Sequence, residues 1–373
     1  MLLAGCSLFS NQAGSTPPPA GGSSTAGTSI STETATPTLA PQLVKSITLV
    51  ASLGEPVDWT PAGLTWKGIQ AVGARVGAST SLLEPVSNAD LPKDVDGAAG
   101  APRTVVVTVG PAADAAVQAA AAVHPATQFF EMDVAVSESS PANVHGLAFD
   151  EAEAGYLGGY VAAGFAGSGG IGMVGDAKTD TRTANYAAGF ASGAAQSKLG
   201  YPATVAYAGT SDSPDKGRTA AAGLVKAGDS VILAMPSLTG IGALREACAR
   251  KARLVAVDTD AWQTVPDIQS CLIVSVMNRY DAAVAAPILA VASGHAVPRE
   301  TVNNVANGGI ALSEFHADLP GGFEAQLDAV VGTLQNGPPR PTPAPPTPAP
   351  STGATTSPAG PSQASASPKP SGA

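Results

Sequence analysis

The chain has 373 residues, with 19 basic and 29 acidic side chains and a formal charge of −10. Of its 32 prolines, five fall in 7–42 and twelve in 338–373, two 36-residue segments dominated by Ser, Thr, Ala, Gly and Pro. Such segments bury too little apolar surface to offset the entropy of ordering, so both are expected to be disordered. The remaining 43–337 span holds 17 basic and 28 acidic residues, a charge of −11 that argues against nucleic acid or anionic lipid as a partner. Its length suits one large core or two ordinary domains, and three cysteines are too few for a disulfide framework.

In chain order, residues 1–6 come first and read as an address. Leu3-Ala4-Gly5-Cys6 has the form of a bacterial lipobox, with small residues before a cysteine whose thiol would carry the lipid. No basic n-region and little of an apolar h-region precede it, so 1–6 are expected to be the end of a truncated lipoprotein signal. The alternative is a chance match in an Ala- and Gly-rich chain. With Cys6 lipidated, 7–42 becomes a tether that holds a soluble body on the extracytoplasmic face of the cell membrane.

The body alternates short apolar runs with Ala-rich segments of helical spacing. Strands are expected at Ser46–Ala51, Thr104–Val109, Phe129–Asp133, Val144–Phe149, Gly170–Val174, Ala203–Tyr207, Ser230–Ala234, Arg253–Asp258 and Cys271–Val276. Helices are expected at Ala62–Val76, Ala112–Val123, Glu151–Phe165, Thr183–Leu199, Lys216–Ala227, Ile241–Lys251 and Tyr280–Ser293. This alternation indicates parallel α/β sheets covered on both faces. Nine strands exceed what one doubly wound sheet usually holds, which favours two lobes. Ala154–Gly175 is 22 residues without a charge, but nine glycines break it into a helix, a turn and a strand, and no membrane span is expected.

Ligands of open α/β sheets sit beyond the carboxyl ends of the strands. There Asp133 and Asp258 each close an apolar run, as acceptors for ligand hydroxyls or ring NH groups, or as helix caps and turn residues. Ser237 and Thr239, in the turn opening the helix from Ile241, offer hydroxyls to a polar ligand or simply cap that helix. Enzyme and cofactor signatures fail. Gly167-Ser168-Gly169-Gly170-Ile171-Gly172 fits G-x-G-x-x-G but precedes its strand, the reverse of a dinucleotide fingerprint. The four histidines have no metal-like spacing, and Cys248 and Cys271 are expected to be buried packing residues. Neither catalysis, a cofactor nor a metal is expected.

Several segments, in order from about 46 to 337, resemble the basic membrane protein family of PnrA-like substrate-binding lipoproteins. They are 46–70 with Trp66-Lys67-Gly68-Ile69, Asn143-Val144 followed by Glu151–Ala163, and Ala188–Gly193. Tyr207-Ala208-Gly209 through Asp215-Lys216-Gly217, Val257-Asp258-Thr259-Asp260, Ser275 with Arg279 and Asp281, and Asn307-Gly308-Gly309-Ile310 continue the series. The resemblance implies a type I periplasmic-binding-protein fold: two Rossmann-like lobes with parallel sheets, joined by a hinge and closing on a ligand. On that template 43–147 and 263–292 form the first lobe, and 148–262 and 293–337 the second. It further implies a small-molecule ligand, a purine nucleoside foremost, delivered to ABC permease and ATPase subunits.

The resemblance also marks departures. After Asp58 the family has a Ser-Phe-Asn stretch whose Phe stacks on the base; here Thr60, Pro61 and Ala62 follow. Trp59 is then either the stacking face or a loop anchor. Asn278 stands where the family has a ribose-contacting Lys, with Arg279 beside it as a ligand contact or a hinge brace. The expected function is therefore extracytoplasmic solute capture for an ABC importer. The alternative is a sensing or interaction module on the same fold, motivated by the polyproline-like 342–350 stretch.

Overall fold

The computed structural model describes residues 43–51, 60–197 and 203–336. Cys6, Asp58, Trp59 and the two low-complexity segments lie outside the described residues. The chain runs β1 (Ser46–Val50), α1 (Pro61–Val76), β2 (Ser79–Leu83), α2 (Leu91–Ala99), β3 (Thr104–Val109), α3 (Asp114–Val123), β4 (Gln128–Met132) and β5 (Val144–Phe149). Then come α4 (Glu151–Phe165), β6 (Gly170–Gly175), α5 (Thr181–Gln196), β7 (Ala203–Tyr207) and α6 (Pro214–Ala227). β8 (Asp229–Ala234), α7 (Leu238–Ala249), β9 (Arg253–Asp258), the short α8 (Ala261–Thr264) and β10 (Leu272–Asn278) follow. α9 (Tyr280–Ala292), β11 (Glu300–Asn303), β12 (Ile310–Leu312) and α10 (Phe323–Asn336) complete it.

Two six-stranded sheets result, ordered β2-β1-β3-β4-β5-β11 and β7-β6-β8-β9-β10-β12. All pairings are parallel except β10 with β12. The run Thr104–Val109 shows why: every residue of it is buried. Val105 and Val107 belong to the large core, while Val106 belongs to a separate cluster that includes Val117 and Ala121 of α3. A strand apolar on both faces fits only a sheet with helices on each side. The architecture is α/β with two Rossmann-like halves.

The sheet orders correct two sequence expectations about the lobes. β10, within the 263–292 stretch assigned to the first lobe, belongs to the second sheet, and β11, within 293–337, pairs with β5 of the first. Only α9 stays with the first lobe, where Gly68 of α1 lies against the backbone of Asp281 and the side chain of Val284. The chain therefore crosses between halves at 149–151, 278–280 and 303–310. These crossings are stitched together: Asp150 N–H donates to Asn303 O at 2.9 Å and Arg279 N–H to Gly309 O at 2.8 Å. Val305 N–H donates to Glu153 Oε2 at 3.0 Å.

The stretch Ala154–Gly175 is α4, a turn at Gly167 and β6, and among the described residues no helix is long and apolar enough to cross a membrane. Its glycines have a packing cause. A methyl group on Gly155 or Gly159 would overlap the backbone of Tyr186 or Phe190 in α5, and one on Gly189 or Gly193 that of Ala152 or Tyr156 in α4. The two helices thus meet backbone to backbone. Gly193→Ala should lower stability by about 1–3 kcal/mol, the range for overpacking a close contact, as read by denaturant unfolding. A wild-type midpoint would show that α4 and α5 can move apart freely.

Cys248 and Cys271 are not simple packing residues. They form a disulfide with a Cα separation of 5.6 Å, tying the end of α7 to the residue just before β10. Two cysteines on elements 23 residues apart meet because α7 packs beside β9 and delivers its last turn to the neighbouring strand. Closing a loop of this length removes unfolded-state entropy worth roughly 3 kcal/mol.

Candidate functional site

Each sheet reverses its strand order once, between β1 and β3 and between β6 and β8. Such switch points open a crevice at the carboxyl ends of the strands. Here the crevices face each other across a cleft of about 460 Å³, within the range of small-molecule sites. The first half supplies Thr60, Pro61, Val109, Gly110, Asp133 and, from α9, Tyr280. The second half supplies Arg182, Met235, Pro236, Ile241, Val257 and Asp258 among others. The walls are apolar and the floor is ionic.

Asp133 follows β4 and Asp258 ends β9, and both adopt left-handed backbone, with φ of 59° and 81°. Non-glycine residues rarely take that conformation, though Asp tolerates it best after Asn. The sharp turn swings each carboxylate off its sheet and into the cleft. Both meet one guanidinium. Arg182 Nη2 donates to Asp258 Oδ1 at 2.7 Å, and Nη1 lies 3.4 Å from Asp133 Oδ2. Asp258 Oδ1 also accepts from Asn278 Nδ2 at 3.0 Å and from Tyr280 Oη at 2.9 Å. Burial opposes the charge on Arg182, but Asp258, Tyr280, Tyr186 and Asp133 around it hold the guanidinium more firmly protonated than usual. Burial pushes the Asp133 carboxyl up to about 6; Arg182 pulls it back, and Asp258 and Glu151 push it further.

Asp133, Asp258 and Asn278 thus lie in one network, with Asn278 held beneath the cleft by its bond to Asp258. The other described candidates are bonded elsewhere. Ser237 caps α7 through Gly240 N–H and donates to Asp176 Oδ1 at 2.7 Å. Thr239 is fully buried and accepts from Ser213 N–H at 3.0 Å. Arg279 makes a two-pronged pair with Asp281, at 2.9 and 2.8 Å, at the second crossing. Neither Ser237, Thr239 nor Arg279 is among the residues that line the cleft.

Sequence reasoning missed Arg182 and Tyr280. Arg182 sits seven residues beyond β6, on the first turn of α5, and reading only the residues next to each strand end overlooked it. The signal was present as the one basic residue in an otherwise Ala-, Gly- and Thr-rich helix, 181–196. Tyr280 opens α9, as its spacing predicts, but helical spacing carries no sign that its hydroxyl falls in the cleft.

The family model for the ABC transporter substrate-binding protein PnrA-like family matches residues 63–317. The chain belongs to this PnrA-like family. A curated relative, the ABC transporter nucleoside-binding protein BmpA of Lactococcus lactis subsp. cremoris (strain MG1363), is 27% identical over 188 residues, 49% of this chain. That match spans about half, 53%, of the relative's length. Among solved structures, a solute-binding protein of an ABC transporter system from Aeropyrum pernix K1 has a TM-score of 0.58 at 23% identity, covering 79% of this chain and 82% of that one. Another, from Conexibacter woesei DSM 14684, has a TM-score of 0.64 at 20% identity, covering 80% and 99%. These likenesses establish the type I periplasmic-binding-protein fold.

Several segments that carry the PnrA-like resemblance prove to be scaffold. Glu151–Ala163 and Ala188–Gly193 form the α4–α5 contact. Asp260 caps α8 through Trp262 N–H, Ser275 Oγ accepts from Ala261 N–H, and Asn307 folds the third crossing. Of the quoted segments, 46–70, through Thr60 and Pro61, and Val257-Asp258-Thr259 line the cleft among the described residues.

Proposed function

We propose that this PnrA-like chain captures a small neutral polar ligand, of nucleoside size, outside the cytoplasmic membrane and presents it to the permease and ATPase subunits of an ABC importer. The observation that carries the reading is the cleft at the two switch points, with one carboxylate from each half on its floor and apolar walls above. A flat, largely apolar ring fits between the walls, and hydroxyls or ring NH groups fit the acceptors below. The name of the Lactococcus lactis relative supports the nucleoside class.

Three crossings join the halves, so a ligand held by both favours their closed arrangement over an open one. The Cys248–Cys271 disulfide suits an oxidising compartment, in keeping with an extracytoplasmic site and with lipid anchoring at Cys6. Asp58 and Trp59 belong to this proposal as further contacts, by resemblance.

A thermal-shift panel of purine and pyrimidine nucleosides, free bases and sugars tests the reading. A true ligand at a hundred times its Kd should add about 2.7 kcal/mol to stability and raise the melting temperature by several degrees. A flat response to every nucleoside removes the nucleoside class.

A further inference from the structure

The two halves share their strand order, and their carboxylates occupy equivalent places: Asp133 after the fourth strand of the first half, Asp258 at the end of the fourth strand of the second. Their cation is not shared. Arg182 is the second residue of the helix after the first strand of its half, and the equivalent residue of α1 is Ala62.

One guanidinium therefore serves two carboxylates, and serves them unequally. Its 2.7 Å bond to Asp258 lies in the charge-assisted range of about 2.7–2.9 Å, whereas 3.4 Å to Asp133 lies well outside it. Asp258 Oδ1 takes three donors. Its Oδ2, and Asp133 Oδ1, have no donor among the described residues. Arg182 Nε is buried and likewise without a partner among them. The floor offers two acceptors and a donor around a loose ion pair.

We propose that Arg182 is a specificity-determining ligand contact. A ligand hydroxyl bridges Arg182 and Asp133 from the cleft side, accepting from the guanidinium and donating to Asp133 Oδ1, and an adjacent hydroxyl donates to Asp258 Oδ2. A hydroxyl can do this because one atom both donates and accepts. An amine satisfies the carboxylates but offers nothing to Arg182. A phosphate satisfies Arg182 but meets two carboxylates. The class selected is a neutral ligand with neighbouring hydroxyls, and the inference rests on the solute-binding reading above.

The test is calorimetric titration of the full chain and of Arg182→Gln and Arg182→Lys with inosine, 2′,3′-dideoxyinosine, ribose and myo-inositol. Wild type should prefer inosine over the dideoxy compound by about ten- to a hundredfold, the worth of a hydrogen bond to a charged group. Arg182→Gln should bring the inosine-to-dideoxyinosine ratio within about threefold of unity, and Arg182→Lys should fall between; should the Gln variant fail to fold, the Lys variant decides. Equal wild-type affinity for inosine and dideoxyinosine, or an unchanged ratio in a folded variant, overturns the role of Arg182 and leaves the nucleoside reading intact. Binding of ribose or myo-inositol but not inosine, with loss in the variants, removes the nucleoside reading and upholds Arg182. Silence across the wild-type panel refutes both.

Discussion

Asp258→Ala is expected to lower the unfolding free energy by about 3–5 kcal/mol, the penalty for stripping one partner from a buried charge network. Asp258 is 6% exposed and its Oδ1 holds Arg182, Asn278 and Tyr280 together. Without it a half-buried guanidinium keeps only the 3.4 Å contact to Asp133, and Tyr280 loses its acceptor. Alanine also has to adopt a φ of 81°, which a β-carbon resists. Asp258→Asn separates the two causes. Asparagine tolerates left-handed backbone and matches the shape, so its destabilisation measures lost charge alone and should be the smaller of the two. Urea unfolding of both variants at neutral pH is the measurement. If both unfold within 0.5 kcal/mol of wild type, roughly the scatter of surface substitutions, the network contributes nothing to stability.

Glu131→Gln should stabilise the protein above neutral pH and leave it nearly unchanged at pH 4, below the unfolded value of 4.5. Glu131 is in β4, between β3 and β5, and is 0% exposed with neither carboxylate oxygen partnered among the described residues. Burial, reinforced by Asp114, pushes its carboxyl up to about 7 from 4.5. The native state therefore keeps a proton that the unfolded chain loses once pH exceeds 4.5. Stability from this group is complete below 4.5, declines as pH rises, and is gone above about 7, where both states are ionised. At 1.36 kcal/mol per pKa unit the loss is on the order of 3 kcal/mol. Glutamine stays neutral throughout, so the gap between variant and wild type should open as pH rises from 4.5 and be complete a little above about 7. Asp133 and Asp229 are also raised by burial, to about 6, but they slope both curves alike and cancel in the difference. A gap that does not change with pH would show that Glu131 is not ionised by folding-linked titration in this range.

Most strands legible in sequence are buried on both faces: Thr104–Val109, Val144–Phe149 and Arg253–Asp258 begin and end where their apolar runs do. Ala203–Tyr207 is matched as closely although it is an edge strand buried only at Val205, because its apolar run is bounded by turn residues. Edges were harder to see. β2, with the sequence STSLL, is partly exposed throughout, and β11 and β12 are four and three residues long, so neither periodicity nor length marks them out. α2 was hidden by Lys93, Asp94 and Asp96 in a nine-residue helix. In the site, Asp133 and Asp258 were readable because a carboxylate closing an apolar run is conspicuous. Arg182 and Tyr280 were not, because their place in the cleft depends on how two halves meet, which no local pattern encodes. The lobe boundaries went astray for the same reason: pairing of β10 and β11 is a long-range choice.

The unequal pair Arg182 and Ala62 has a consequence for how a guest lies in the cleft. Two carboxylates at equivalent places, with nothing else, would greet a molecule and its end-over-end image alike. A single cation on one half breaks that degeneracy, since only one orientation brings an acceptor to the guanidinium. A preference of 1.4 kcal/mol suffices for a tenfold excess of one pose. The cleft therefore gives its occupant a head and a tail, a polarity inherited from one side chain and not from the repeated architecture around it.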